Sequence, residues 1–185
     1  MSRLFQYGGI VASVVLIAFG IGSIVIGFGG RDRVHDDLKR EQIVGTPDSS
    51  IPNQLVDTGS EAQAFAKVMR KHTLEATGGL TYAQLLRYQG KDGKATNDEK
   101  LAATNDNGKP IDNPLRNLWV QETALTTALN TSYFAESVAT FAIVMGFGLL
   151  LSGLGFLVLT LRVLRRFADE RERAPAPRPG VALSS

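Results

Sequence analysis

Two imidazoles, His35 and His72, and no cysteine set the chemical repertoire of this 185-residue chain. Thiolate catalysis, cysteine-based metal sites and disulfide staples are excluded, so a metal site would rest mainly on carboxylates. His72 and Glu75 lie three residues apart on one predicted helix, the spacing of helical carboxylate metal motifs, and Glu122 or Glu136 could supply a facing carboxylate. The competing reading has this pair near a helix C-terminus, bonded to backbone or to each other, and that is the one we expect, with no metal, no cofactor and no catalytic residue. His35 beside Asp36 and Asp37 is a poorer ligand set, because consecutive helical residues point in different directions.

Trp119 is the single tryptophan. With Tyr82, Tyr88 and Phe65 it either forms the core of a small bundle or lines an aromatic pocket, in which case Tyr82 and Trp119 mark a ligand or partner surface. Asn130-Thr131-Ser132 matches the glycosylation sequon but lies too close to an apolar stretch for modification to be expected.

The elements that must position these residues are dominated by two charge-free stretches, between Arg3 and Arg31 and between Glu136 and Arg162. Each is long enough to cross a bilayer as a helix, the only form that leaves no backbone amide unsatisfied in lipid. We expect an all-α membrane protein, a two-transmembrane-helix hairpin whose helices extend into a small exported helical module. The divisions are a short cytoplasmic N-terminus (1–8), spans at 9–29 and 137–162, the module at 30–136 and a cytoplasmic tail at 163–185. A cleavable signal peptide is the alternative for the first span, with Gly27-Phe28-Gly29 as a crude small-x-small site, but its apolar region is too long and its basic region too short.

The overall charge of +2 averages unlike parts. Residues 31–136 carry 13 basic and 15 acidic side chains, whereas 162–185 carry 6 and 3. Arg162, Arg165, Arg166, Arg171, Arg173 and Arg178 therefore predict a plasma-membrane protein with both termini cytoplasmic and the central segment extracytoplasmic. Arg31, Arg33, Lys39 and Arg40 oppose this but are interleaved with Asp32, Asp36, Asp37 and Glu41. Tyr7 and Tyr133 suit the two membrane interfaces.

Small residues recur inside the spans: Ala18 with Gly22 and Ser23 with Gly27 at small-xxx-small spacing, Ala139, Gly146 and Gly153 seven apart, and Gly148 and Gly155 likewise. Such stripes let backbones approach closely, and packing of the two spans on each other is the expected use, a second protein the alternative. No acid, base, histidine or amide side chain lies inside either span, which argues against a lone transporter or pump.

Within the module, Val34, Leu38 and Ile43 continue the first helix as a stalk, and Thr46 to Gly59 reads as loop. Ser60 is placed to cap a helix from Glu61 with Ala62, Phe65, Ala66 and Met69 on one face, ended by Gly78-Gly79. Thr81 and Gln84 form a capping box that predicts a short helix from Tyr82 to about Tyr88 with Leu85 and Leu86 inward. The polar, glycine-rich run at 90–113 reads as a mobile loop. Asn113 and Pro114 then start a long helix to about Arg166, with Leu115, Leu118, Glu122, Leu125, Leu129, Ser132, Glu136 and Ala139 at 3-4 spacing and a bend expected near Asn130. Arg165 with Asp169 and Arg166 with Glu170 extend that helix into the tail before Pro175, and the final residues should be disordered.

At His72-Thr-Leu-Glu-Ala-Thr-Gly-Gly-Leu-Thr-Tyr-Ala83, with Glu41-Gln-Ile-Val-Gly-Thr-Pro-Asp48 and Thr123-Ala-Leu-Thr-Thr-Ala-Leu-Asn-Thr-Ser-Tyr-Phe-Ala135, the chain resembles a group of uncharacterised actinobacterial membrane proteins with two spans around an exported loop. The resemblance covers most of residues 1 to 165. Some members carry the label of aromatic ring-opening dioxygenase, which would need both His35 and His72 plus a carboxylate around iron and a substrate pocket in a very small domain. The expected function is instead non-enzymatic: an accessory or scaffold subunit whose module binds another envelope component. A ligand or metal sensor around His72, Glu75 and Trp119 is the alternative, and a metal-dependent oxygenase comes third. Expected partners are the lipid bilayer, anionic lipid at the cytoplasmic arginines, and a membrane or envelope protein or a second copy of the chain, with no nucleic acid.

Overall fold

A computed structural model describes the backbone over residues 2–172 and side chains over residues 7–166. The fold is mostly helical. Helix α1 spans Ser2–Arg40, α2 spans Gly59–Ala76 and α3 spans Pro114–Glu172, with a two-residue antiparallel pair, β1 (Tyr88–Gln89) and β2 (Ala95–Thr96), between α2 and α3. Helices α1 and α3 each contain a stretch long and apolar enough to cross a membrane. The tail beyond Glu172, and the Arg165–Asp169 and Arg166–Glu170 side-chain pairs, lie outside the described residues.

The chain divides into two compact units, residues 1–27 with 141–185, and residues 28–140. In the first, the apolar stretches of α1 and α3 pack antiparallel with backbones in near contact. A Cβ added at Gly20 would sit 2.7 Å from the Leu150 amide nitrogen and 2.8 Å from the Gly146 carbonyl oxygen. One at Gly153 would meet the Ile17 nitrogen at 3.0 Å, and one at Gly9 the Thr160 hydroxyl at 2.8 Å. Ser13, fully buried, hides its polarity by donating to the Gly9 carbonyl at 2.8 Å.

This contact uses only some of the small residues the sequence singles out. Gly146 and Gly153 lie in it, but Cβ atoms at Gly22, Gly148 and Gly155 would meet nothing within 4 Å, and Ala18 is exposed. Ser23 is half-buried and Gly27 buried. On α1 the buried small positions are Ser13, Gly20 and Gly27, seven apart, because a helix pair crossing at a shallow angle repeats its contact every seven residues rather than every four.

In the second unit α2 packs against the flanking parts of α1 and α3. Leu38, Val56, Ala62, Phe65, Ala66, Val68 and Leu129 form the core, with Val34, Ile43, Ile51, Met69 and Leu125 against it. The cap of α2 is Thr58 rather than Ser60: its hydroxyl accepts from the Glu61 amide while Glu61 reaches back to the Thr58 amide, a complete capping box. Ser60 already lies inside α2, its hydroxyl 3.1 Å from that of Thr58.

Two further expectations are corrected. Gln84 reaches back to the Thr81 amide as in a capping box, but the Thr81 hydroxyl donates to the same Gln84 oxygen instead of accepting a backbone N–H, and no helix follows; one turn leads into β1, with Leu85 buried and Leu86 exposed. The 90–113 run, expected as loop, carries antiparallel backbone pairing. Besides β1 and β2 it contains bridges Gly90↔Ala102, Thr104↔Pro110 and Tyr88↔Asp112. Its reversals fall at Asp92-Gly93 and Asn107-Gly108, where both glycines take positive φ and the Asp92 and Asn105 side chains accept from backbone amides.

Candidate functional site

Polar clusters and an apolar face of the second unit are the places where function could reside. His72 does not meet Glu75. Its Nε2 lies 2.9 Å from Asp48 Oδ2, and the same oxygen accepts from Lys71 Nζ at 2.9 Å. Glu75 is 3.9 Å from Lys71 instead. The Lys71 ammonium first, then His72 and the Thr46 hydroxyl, hold the Asp48 carboxyl well below the usual carboxylate range. The cluster is exposed and fastens the turn after Thr46 to α2. Among the described residues no three His, Asp or Glu side chains converge as a metal site.

Asp48→Ala is expected to speed amide exchange across residues 46–54 roughly tenfold while leaving the global unfolding midpoint almost unchanged, because exposed ion pairs order loops more than they stabilise folds. Hydrogen exchange read by mass spectrometry checks this, and His72→Ala should give a smaller effect of the same kind.

The second histidine belongs to a different cluster. Glu136 Oε1 accepts from Arg31 Nε at 3.0 Å and from His35 Nε2 at 2.9 Å, while Oε2 accepts from the Gly59 amide at the start of α2. A carboxylate only accepts, so His35 Nε2 carries its proton. Burial pushes the Glu136 carboxyl up, but His35, the Gly59 amide and Arg31 outweigh it and leave it below its ordinary value. One side chain thus joins all three helices. Gly59 is needed there, since a Cβ would lie 2.8 Å from the Tyr133 Cα. With His72 on Asp48 and His35 on Glu136, each imidazole already has its own carboxylate partner.

Of the four aromatic residues considered from sequence, only Tyr82 joins Trp119 at one surface. Phe65 is in the core, and Tyr88 is buried with its hydroxyl donating to Glu99 at 2.7 Å. Trp119 is 3% exposed, its indole N–H donating to the Leu80 carbonyl at 3.0 Å under the Arg70 guanidinium. The Arg116 guanidinium stacks 4.0 Å from the Tyr82 ring centre. Together with Val120, Thr123, Ala124 and Thr127, the two rings line an open groove of about 480 Å³.

No protein-family model, curated protein or solved structure matches this chain. The groove and its surroundings therefore have to be read from their own chemistry. From Asn117 to Leu161 α3 contains just two charged residues, Glu122 and Glu136, and both turn inward. The exposed side of α3 from Val120 to Val138 is consequently free of charge. The exposed sides of its neighbours are not: α1 presents Asp32, Arg33, Asp36, Asp37 and Arg40, and α2 presents Lys67, Arg70, Lys71 and Glu75. Apolar periodicity marks the inward stripe of α3 in the sequence; the outward one leaves only an absence of charge over several turns.

Proposed function

We propose that the protein is a two-span membrane protein with both termini cytoplasmic, whose module at 30–136 is a non-enzymatic docking element of an accessory or scaffold subunit. The observation that carries the docking role is the charge-free exposed face of α3 with the Tyr82–Trp119 groove at one end. A helix face kept in water normally mixes charges into its exposed positions, as α1 and α2 do, so a bare face of about four turns from Val120 to Phe134 suits burial against another protein. The arginines after the second span support the orientation, and the antiparallel close packing of the two apolar stretches suits a hairpin crossing. Both imidazoles are held by carboxylates, which favours docking over metal chemistry.

The test is gentle detergent purification from native membranes, with mass spectrometry of accompanying chains. Ala124→Arg places a guanidinium in the middle of the exposed face without touching the core. It is expected to weaken recovery of the associated chain by at least about tenfold, since a buried unpaired charge costs several kcal/mol. Unchanged recovery in Ala124→Arg would remove the α3 face from the docking role.

A further inference from the structure

We infer that Asn107 is a site of spontaneous self-modification, closing onto the Gly108 amide as a succinimide and reopening mostly as isoaspartate, at a pace set by the turn around it. The chain has seven asparagines, which precede Gln54, Asp98, Asp106, Gly108, Pro114, Leu118 and Thr131. Ring closure brings the backbone nitrogen of the following residue onto the asparagine side-chain carbon. A Cβ on that residue crowds the ring, and a proline has no amide proton to lose. Glycine removes both obstacles, and a Cβ built at Gly108 would meet nothing within 4 Å, so that side is open to the ring and to water.

The side chains differ in the same direction. Asn107 is exposed, and among the described residues its carboxamide has no hydrogen-bond partner, so it is free to turn toward the Gly108 nitrogen. Asn105 Oδ1 instead accepts from the Asn107 and Lys109 amides at 3.1 and 3.0 Å, Asn97 Oδ1 accepts from the Arg87 amide at 2.9 Å, and Asn113 is buried as the cap of α3. At the other reversal Asp92 offers a carboxylate, a poor electrophile, which accepts from the Lys94 amide at 3.0 Å. The Gly108 N–H donates to the Asn105 carbonyl at 2.9 Å and must leave it to react. That requires opening an exposed turn backed by the Thr104↔Pro110 bridge, a local event at the low end of the stability range.

In the reaction the Gly108 nitrogen bonds to Asn107 Cγ, the Cγ–Nδ2 bond breaks, and ammonia leaves with the former amide proton. Water then adds at either ring carbonyl, giving aspartate or β-linked isoaspartate at position 107. Either product places a new negative charge beside Asp106. The β-linkage also routes the main chain through an extra carbon, so the amides of residues 107, 108 and 109 no longer all reach their acceptors on Asn105. The tip of this hairpin therefore loosens as the protein ages.

The test ages the full chain, purified in mild detergent, in heavy-oxygen water at neutral and alkaline pH, and maps the products by peptide mass spectrometry with electron-transfer fragmentation. Product at Asn107 is expected to exceed that at any other asparagine by at least about tenfold, since a tied carboxamide and a crowded ring each raise the barrier. It carries the heavy oxygen and accumulates faster in alkali, because the attacking nitrogen must lose its proton. Asn105→Ala removes an acceptor shared by two amides of the turn and speeds the reaction roughly threefold. Asn107→Gln, whose longer side chain closes a ring far more slowly, ages without the rise in amide exchange across residues 104–110 expected of the unsubstituted chain. Product spread evenly over the asparagines, product without heavy oxygen, or a rate unmoved by Asn105→Ala overturns the inference. The docking role is read separately, by recovery of the associated chain.

Discussion

Glu136→Ala should lower the stability of the unit at residues 28–140 by about 2–4 kcal/mol, the largest single-residue effect expected outside the apolar core. The carboxylate is 13% exposed and takes donors from Arg31, His35 and Gly59. Deleting it leaves an imidazole, a guanidinium and a helix N-terminal amide competing for whatever water can enter. For a unit of this size the midpoint of thermal unfolding falls by roughly 10 °C or more. Glu136→Gln keeps the shape but offers one acceptor oxygen and an NH2 group where two oxygens accepted, so it recovers only part of the loss. The pH dependence separates charge from shape. Because the native carboxyl sits below its ordinary 4.5, the unfolded chain binds the proton more readily. The contribution of Glu136 is therefore fully present above that value, declines as pH falls below it, and is gone once pH has passed through the native value. Glu136→Gln flattens this acid limb. An unaltered limb in thermal scans between neutral and acidic pH would show that the carboxylate is not the joint described above.

Gly20→Leu should disrupt the packing of the two apolar helices, costing about 3 kcal/mol. The added Cβ alone would overlap the Leu150 amide and the Gly146 carbonyl, and backbone cannot swing aside as a flexible side chain can. Gly146→Leu carries a comparable cost, since its Cβ would stand 2.8 Å from the Gly20 carbonyl and 3.0 Å from the Ile24 nitrogen. Gly148→Leu and Gly155→Leu point into open space and should change stability by less than about 0.5 kcal/mol. Unfolding in graded sodium dodecyl sulfate gives the comparison in one series. Equal effects at Gly146 and Gly148 would contradict the heptad contact.

The contrast between those glycines shows what one strand of sequence can and cannot disclose. Long charge-free stretches are visible at once because lipid and core impose the same demand on every residue in them. Which small residues touch is not, because two alternative stripes on α3, at 139/146/153 and 148/155, share a period and differ only in which way they face. The inward stripe of α3 from Leu118 to Ala139 was legible from apolar spacing, and so was Asn113 as a cap, its side chain accepting from the Leu115 amide at 3.0 Å. The antiparallel pairing between residues 88 and 112 is hidden by the polarity of the run, although Asp92-Gly93 and Asn107-Gly108 are hairpin signals of the strongest kind. Thr81 and Gln84 carried a helix-start pattern with too little amphipathic sequence after it to propagate. The pairing of His72 with Asp48, and of His35 with Glu136, depended on distant segments meeting, and no local pattern reports that.

Glu136 also has a bearing on the order of events during synthesis. Its three donors precede it by 105, 101 and 77 residues. Arg31, His35 and the first amide of α2 leave the ribosome long before their acceptor exists, and closing loops of that length brings no return until the acceptor arrives. The unit between residues 28 and 140 therefore matures in one late step, gated by translation of its last helix. A nascent chain stalled before residue 136 would leave Arg31 and His35 without their carboxylate and α2 capped but untethered.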